Sequence, residues 1–254
     1  MVELIYQDAL EFLKSLKTES VDLIFTDPPF MISRETKLIR KKDTGYKFKG
    51  KTVDLDFGDW DKRWESKEEY LEWCKLWWNE CIRVLKPYRH LVFFFDKAKI
   101  SYAWDYMEEN GMIGRQPLFW IKANPVPGFR KVCFNNSVEL MLWFTKTAVK
   151  QKYFNYQEGY SNDYIMASVV PKKSKADGIR IHPTQKPVRV CEWIIRYLSK
   201  KGDLVVDPFA GSGSVAIACI RLGRQFKGVE NNKEFFDKAS KRIEKELNKL
   251  RLFT

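Results

Sequence analysis

Short apolar runs alternate along the chain with longer amphipathic stretches. "VELIY" (Val2–Tyr6), "VDLIF" (Val21–Phe25), "LVFFF" (Leu91–Phe95), "DLVVD" (Asp203–Asp207) and "FKGVE" (Phe226–Glu230) have the length and composition of strands. Runs this short and this apolar predict strands covered on both faces, as in a parallel sheet. The stretches between them have helical spacing. "QDALEFLKSL" sets Ala9, Phe12, Leu13 and Leu16 on one face. Residues 67–86 do the same with Tyr70, Trp73, Trp77 and Cys81, and Pro87 is expected to stop that helix. The aromatic stripe on it reads as core. "KISYAWDYMEENG" predicts a helix ending at Gly111. Pro187 is suited to a helix start, with Cys191, Ile194, Ile195 and Leu198 as the buried face. "GSVAIACIRLG" and "NKEFFDKASKRIEKELNKL" complete the helices. Strand–helix alternation of this kind predicts βαβ units and a doubly wound, mostly parallel α/β sheet.

Three stretches interrupt the rhythm. Residues 31–58 are expected to form a mobile basic loop, rich in Lys and Arg, and a loop this long inside a domain is functional or disordered. "PLFWIKANPVPGFRKVCFNNSVELMLWFTK" (Pro117–Lys146) reads as two strands joined by a Pro/Gly-containing loop, an antiparallel hairpin at one edge of the sheet. Residues 146–181 are polar, tyrosine-rich and least regular. The expectation is one domain over residues 1–254. It has a catalytic half (1–145), an embedded recognition region (about 125–181) and a cofactor-binding half (182–254).

Charge narrows the partners. The balance of 45 Lys+Arg against 33 Asp+Glu gives +12, which favours anionic partners. Five scattered cysteines with no C-x-x-C spacing predict free thiols in a reduced compartment. Two histidines supply little for a metal site, so no metal is expected. No run approaches the roughly 20 apolar residues that span a bilayer, so no membrane partner is expected and the reading is cytoplasmic.

Two motifs carry the chemistry. "VVDPFAGSGSVA" runs strand, glycine turn, helix, and Gly211 and Gly213 let backbone approach a ligand closely. The helix that follows offers N–H groups and a positive dipole end to an anion. Nineteen positions beyond Gly211 the next strand ends on Glu230, whose carboxylate can accept both hydroxyls of a ribose. A nucleoside with an anionic appendage fits this pattern. Gly211, Gly213 and Ala216 also satisfy G-x-G-x-x-G/A, which leaves NAD open, whereas no G-K-[ST] closes a Walker loop. The second motif is "TDPPF" (Thr26–Phe30), where an apolar strand ends on an aspartate, two prolines and an aromatic ring. Neither proline can donate to a sheet ladder, so the chain leaves the sheet there as a stiff corner.

Together and in this order, "TDPPF" and "DPFAGSGS" resemble the amino-methyltransferases that act on exocyclic amines of DNA bases with S-adenosylmethionine (SAM). The catalytic motif precedes the cofactor motif, as in the permuted β class. "QDALEFL", "FGDWDK", "RVLKP", "WIKANPVP", "IHPTQKP" and "GVENNKEFF" extend the resemblance over nearly the whole chain. It implies a Rossmann-like seven-stranded sheet, SAM as cofactor and DNA as partner. A homodimer and a cognate restriction endonuclease are further companions that it suggests. Aspartate at the head of the tetrapeptide favours adenine N6 in this family, with cytosine N4 the near alternative. An NAD oxidoreductase and a nucleic-acid-binding module without catalysis are the readings from other classes.

The resemblance assigns roles. Asp27, Pro28, Pro29 and Phe30 are the catalytic group. An adenine amine is a poor nucleophile, and two acceptors at its hydrogens would free the lone pair. These would be the Asp27 carboxylate and the Pro28 carbonyl, whose direction Pro29 restricts. Phe30 offers a stacking face worth roughly 1–3 kcal/mol. The target base must be flipped out or single-stranded. For the cofactor the candidates are Asp8, Ala9, Asp27, Thr184, Gln185, Lys186, Asp207, Phe209, Gly211, Ser212, Gly213, Glu230 and Asn231. Among these, Lys186 is expected to pair with the SAM carboxylate. His182 reads as a capping or packing histidine. Arg34, Lys37, Arg40, Lys41, Lys42, Lys47, Arg130 and Lys131 are the candidate DNA contacts.

Overall fold

The run Val21–Thr26 is buried at all six positions, as a strand covered on both faces must be. The computed structural model describes residues 1–31, 37–39, 52–54, 64–125, 134–147, 153–171, 173–174 and 178–251. In chain order the elements are β1 (Val2–Tyr6), α1 (Ala9–Ser15), β2 (Val21–Thr26), β3 (Lys37–Ile39), β4 (Thr52–Asp54), α2 (Lys67–Val84), β5 (Leu85–Phe95), α3 (Ile100–Glu109), β6 (Met112–Gly114), β7 (Leu118–Lys122), β8 (Val138–Lys146), β9 (Tyr164–Ala167), β10 (Lys173–Ser174), β11 (Gly178–Ile179), α4 (Val188–Leu198), β12 (Leu204–Asp207), α5 (Ser214–Leu222), β13 (Gln225–Glu230) and α6 (Lys233–Arg251). They fall into two compact units, Met1–Pro28 with Lys75–Thr254, and Pro29–Cys74.

The first unit holds a nine-stranded sheet in the order β1-β13-β12-β2-β5-β8-β7-β9, with β6 also paired to β8. Strands β1, β13, β12, β2 and β5 are parallel neighbours. Strand β8 runs antiparallel to β5, β6 and β7, and β9 is parallel to β7. The doubly wound, mostly parallel sheet is as expected, but its extent differs. Seven strands were expected, and β6 and β9 raise the number. The hairpin of β7 and β8 was expected at an edge, and β9 lies outside it. Strand β9 has only four residues, Tyr164–Ala167, with mostly outward side chains, and it lies inside the polar stretch 146–181.

Helix α2 ends at Val84 rather than at Pro87, because Leu85 is already paired with Val21. The register then slips, so that Leu23 faces His90 and residues 86–89 stand against Asp22 alone. Pro87 falls in that bulge, where the missing N–H costs no ladder bond. Lys86 and Arg89 reach Asp22 at 2.8 and 3.1 Å. The aromatic stripe is core here: Trp77 packs edge-on to Phe93 at 5.5 Å, and Trp78 lies 5.8 Å from Phe95. Among the described residues no helix is long and apolar enough to cross a membrane.

In the second unit β3 and β4 pair antiparallel, Leu38 opposite Val53. The stretch expected to be loop throughout therefore contains a short pair of strands. Trp64 packs against Tyr70 at 5.0 Å and Trp73 at 4.7 Å, and the Tyr70 hydroxyl donates to the Pro29 carbonyl at 2.8 Å.

Strand β2 leads on to β5 on one side, whereas its neighbour β12 leads to β13 on the other. The winding reverses between β2 and β12. In open α/β sheets ligands bind outside the carboxyl ends of strands at such a switch point.

Candidate active site

The two sequence motifs sit at that point, side by side. The Thr26 hydroxyl at the end of β2 donates to Asp207 Oδ1 at the end of β12, 2.6 Å away, and the Phe209 N–H donates to the same oxygen at 3.1 Å. Burial pushes the Asp207 carboxyl up to about 7, although both hydrogen bonds oppose the shift. Phe209 packs edge-on to Trp77 at 5.4 Å.

The glycine turn continues from Phe209. Gly211 has φ +51° and Gly213 φ +72°, left-handed values that favour glycine. A Cβ on Gly213 would come within 3.2 Å of Ile243 on α6. The Gly211 N–H donates to Glu230 Oε2 at 2.9 Å, and the Asn232 N–H to Oε1 at 2.8 Å. Burial raises the pKa of Glu230, and these backbone bonds counter it. Arg242 of α6 braces the turn from behind, donating to the Ser212 carbonyl at 2.8 Å and to the Ser214 hydroxyl at 3.1 Å. Both serines are buried. One strand further along the sheet Tyr6 is paired with Glu230. Asp8 follows and caps α1, accepting from the Leu10 N–H at 2.8 Å and the Glu11 N–H at 3.3 Å. Ala9 is buried and Asn231 exposed.

Asp27 lies just past β2 in an alternating row of charges. Its Oδ2 is 2.5 Å from Lys186 Nζ, which is 3.3 Å from Glu139 Oε2 on β8. Glu139 Oε1 is in turn 2.9 Å from Lys122 Nζ at the end of β7. Lys186 also lies over the ring of Phe94, 4.6 Å from its centroid. Burial pushes the Asp27 carboxyl up to about 6, Lys186 pulls it down and Glu139 adds to the rise. The same row keeps Lys186 charged and Glu139 ionised, since the opposite charges outweigh burial for both. Asp27 retains 24% side-chain exposure, yet its Oδ1 is buried and without a hydrogen-bond partner among the described residues.

The segment before α4 is a self-braced turn. The Thr184 N–H and hydroxyl lie 3.3 and 3.1 Å from His182 Nδ1. The Ile181 N–H donates to Gln185 Oε1 at 3.0 Å, and Gln185 Nε2 is buried without a partner among the described residues. His182 packs edge-on to Phe235, 4.3 Å between centroids, and burial holds its pKa down at about 4. This is the packing role expected for it.

The sheet thus brings Asp8, Ala9, Asp207 to Gly213, Glu230, Asn231, Asp27 and Pro28 to one carboxyl edge. Pro29 and Phe30 open the second unit. The ammonium of Lys186, expected to face a cofactor carboxylate, is paired with Asp27 and Glu139. Thr26, Lys122, Glu139 and Arg242 were not anticipated. Arg34, Arg40, Lys41, Lys42, Lys47, Arg130 and Lys131 lie outside the described residues, and of Lys37 only the backbone is described.

A glycine turn, an acidic strand end and a buried carboxylate around one switch point define an α/β enzyme that holds a nucleoside-like ligand beside a reacting group. The chain belongs to the DNA methylase family of N6-adenine and N4-cytosine methyltransferases, whose model matches residues 21–241. It is 35% identical over 251 residues to the type II methyltransferase M2.DpnII of Streptococcus pneumoniae, covering 96% of this chain and 90% of that one. Identity to the type II methyltransferase M.HinfI of Haemophilus influenzae is 34% over 247 residues, covering 93% of this chain and 66% of that one. The crystal structure of the M1.HpyAVI–SAM complex matches with a TM-score of 0.67 at 27% identity, covering 96% of this chain and 100% of that one.

Proposed function

We propose that this chain is a site-specific DNA methyltransferase that transfers a methyl group from SAM to the N6 amine of an adenine flipped out of DNA. The observation that carries this reading is the Thr26–Asp207 hydrogen bond, which fastens the end of β2 to the end of β12 and holds Asp27 beside the glycine turn. The residues suit SAM. The Glu230 carboxylate stands at a strand end for a ribose, and Gly211 and Gly213 put no side chain at those two positions of the turn. Gln185 Nε2 is a buried donor in the segment expected at the methionine end. SAM supplies an electrophilic methyl group on a sulfonium that leaves as a neutral thioether.

The chain's own part is to hold the amine. Asp27 Oδ2 is engaged by Lys186, and Oδ1 is the oxygen left to accept one amine hydrogen. The Pro28 carbonyl accepts the other. Hydrogen bonds at both positions free the nitrogen lone pair for in-line attack, and holding the reactants in place supplies much of the rate. Because the corner is stiff, its two oxygens need little reorganisation as charge develops. When the N–C bond has formed, the product ammonium loses its proton towards Oδ1. Lys and Arg in residues 31–58 and near 130 are proposed to hold DNA phosphates.

Aspartate at position 27 favours adenine, and cytosine N4 presents the same two hydrogens to the same two acceptors. Incubation of plasmid DNA with the chain and SAM, followed by modified-base mapping, tests the proposal. N6-methyladenine within a fixed motif is expected. N4-methylcytosine would overturn the base assignment, and unmodified DNA despite SAM binding would overturn the enzymatic one. Asp27→Ala should abolish transfer while calorimetry still records SAM binding. Normal turnover in this variant would refute the role given to the carboxylate.

A further inference from the structure

Glu139 has no part in the chemistry so far, yet it places a second carboxylate on the ammonium that holds Asp27. Two carboxylates brought together out of water are costly unless a cation lies between them. Lys186 is that cation, 2.5 Å from Asp27 Oδ2 and 3.3 Å from Glu139 Oε2, with 8% side-chain exposure. The Phe94 ring lies against its ammonium at 4.6 Å, and Lys122 satisfies the far oxygen of Glu139 at 2.9 Å. Moving Lys186 towards a cofactor would leave Asp27 without its cation and Glu139 with Lys122 as its remaining one among the described residues. The arrangement also treats the two oxygens of Asp27 unequally, since Oδ2 is held and Oδ1, though buried, has no hydrogen-bond partner among the described residues.

We propose that Lys186, anchored by Glu139, is a positioning residue for Asp27: it clamps Oδ2 and thereby aims Oδ1 at the target amine. This rests on the reading of Asp27 as the acceptor, and adds to it a residue on β8 and a role for the lysine other than cofactor binding. The charged groups around Asp27 come from several elements. Lys186 precedes α4, Glu139 is on β8 and Asp207 ends β12. One step further out, Lys122 on β7 pairs with Glu139, Glu230 on β13 acts on Asp207, and His182 lies near Lys186 and is neutral. Lys186 favours the ionised form of Asp27, and Glu139 disfavours it. The acid limb of methyl transfer, set by Asp27 losing its proton, should therefore move in opposite directions when each is neutralised.

The test uses the full chain with DNA and SAM in single-turnover assays across pH, so that product release does not mask the chemical step. Carboxyl carbon NMR titration of Asp27 in the protein without ligands gives a readout independent of activity. Lys186→Met should raise both the limb and the titration by about one pH unit or more. Glu139→Gln should lower both, and its near-isosteric side chain keeps the test open if Lys186→Met fails to fold. SAM affinity by calorimetry should hold within about threefold in both variants. The proposal is overturned if neither variant moves the limb and the titration. It is equally overturned if Lys186→Met weakens SAM binding by about tenfold with the limb unmoved, which would return the lysine to the cofactor. Turnover retained in Asp27→Ala would instead refute the reading beneath it, so the two failures are distinguishable.

Discussion

Replacing Asp207 by asparagine removes an ionisable group and keeps the shape. The side chain is 2% exposed, and its Oδ1 accepts from the Thr26 hydroxyl and the Phe209 N–H, both of which an amide oxygen can also accept. Burial pushes the carboxyl from its ordinary 3.8 to about 7. A gap of about three pKa units between folded and unfolded chains corresponds to about 4 kcal/mol. Its sign follows from proton counts. Between pH 3.8 and about 7 the unfolded chain has shed this proton and the folded chain still holds it. Stability from this group is therefore lost as pH rises through that window and is level above it. Asp207→Asn has no such proton. Its stability relative to wild type should rise by about 2–3 kcal/mol between pH 5 and pH 8. The new amide N–H group, if it finds no acceptor, costs about 1–3 kcal/mol at every pH, so the slope of the difference is the diagnostic. Urea unfolding of both proteins at pH 5, 6, 7 and 8 measures it. Asp27, Glu230 and His182 titrate in both proteins and cancel to first order. A difference that stays flat with pH would show that Asp207 does not ionise in this window, and the physical picture of the β12 end would fail.

Three other outcomes follow from the same geometry. Glu230→Ala removes the acceptor for the Gly211 and Asn232 N–H groups along with the proposed ribose ligand, so calorimetry should show SAM binding weakened about ten- to a hundredfold; unchanged affinity would place the ribose elsewhere. Gly213→Ala puts a Cβ on a backbone at φ +72° and 3.2 Å from Ile243, which should cost about 1–2 kcal/mol in urea unfolding, and an unshifted midpoint would contradict the left-handed turn. His182, with its pKa held at about 4, should show ring NMR signals that do not move between about pH 5.5 and 8; because the unfolded chain takes up this proton below 6.5 and the folded chain does not, its contribution to stability is lost as pH falls from 6.5 towards 4.

What could be read from the sequence was what short spacing encodes. The glycine turn, the acidic end of β13 and the proline corner are each written within a few residues, and a parallel doubly wound sheet places such strand ends along one edge. The charges around Asp27 are not local. Which carboxylate a buried ammonium meets depends on strand order, and nothing in "HPTQKP" reports that order. The decisive feature is the reversed strand. With Phe95 opposite Leu140, β8 brings its amino-terminal residues to the edge where β2, β12 and β13 bring their carboxyl-terminal ones. Glu139 thus joins the site from the start of a strand, where a search for motifs at strand ends does not look. The same reversal lets β7 end on Lys122 beside it, so that a hairpin recognisable only as two apolar runs contributes a fixed ion pair to the neighbourhood of Asp27. Had β8 been parallel, its carboxyl end, Thr145 and Lys146, would face this edge and Lys186 would lose the Glu139 carboxylate. The antiparallel strand is therefore what allows a second carboxylate to share the ammonium, and with it to set how strongly Asp27 holds its proton.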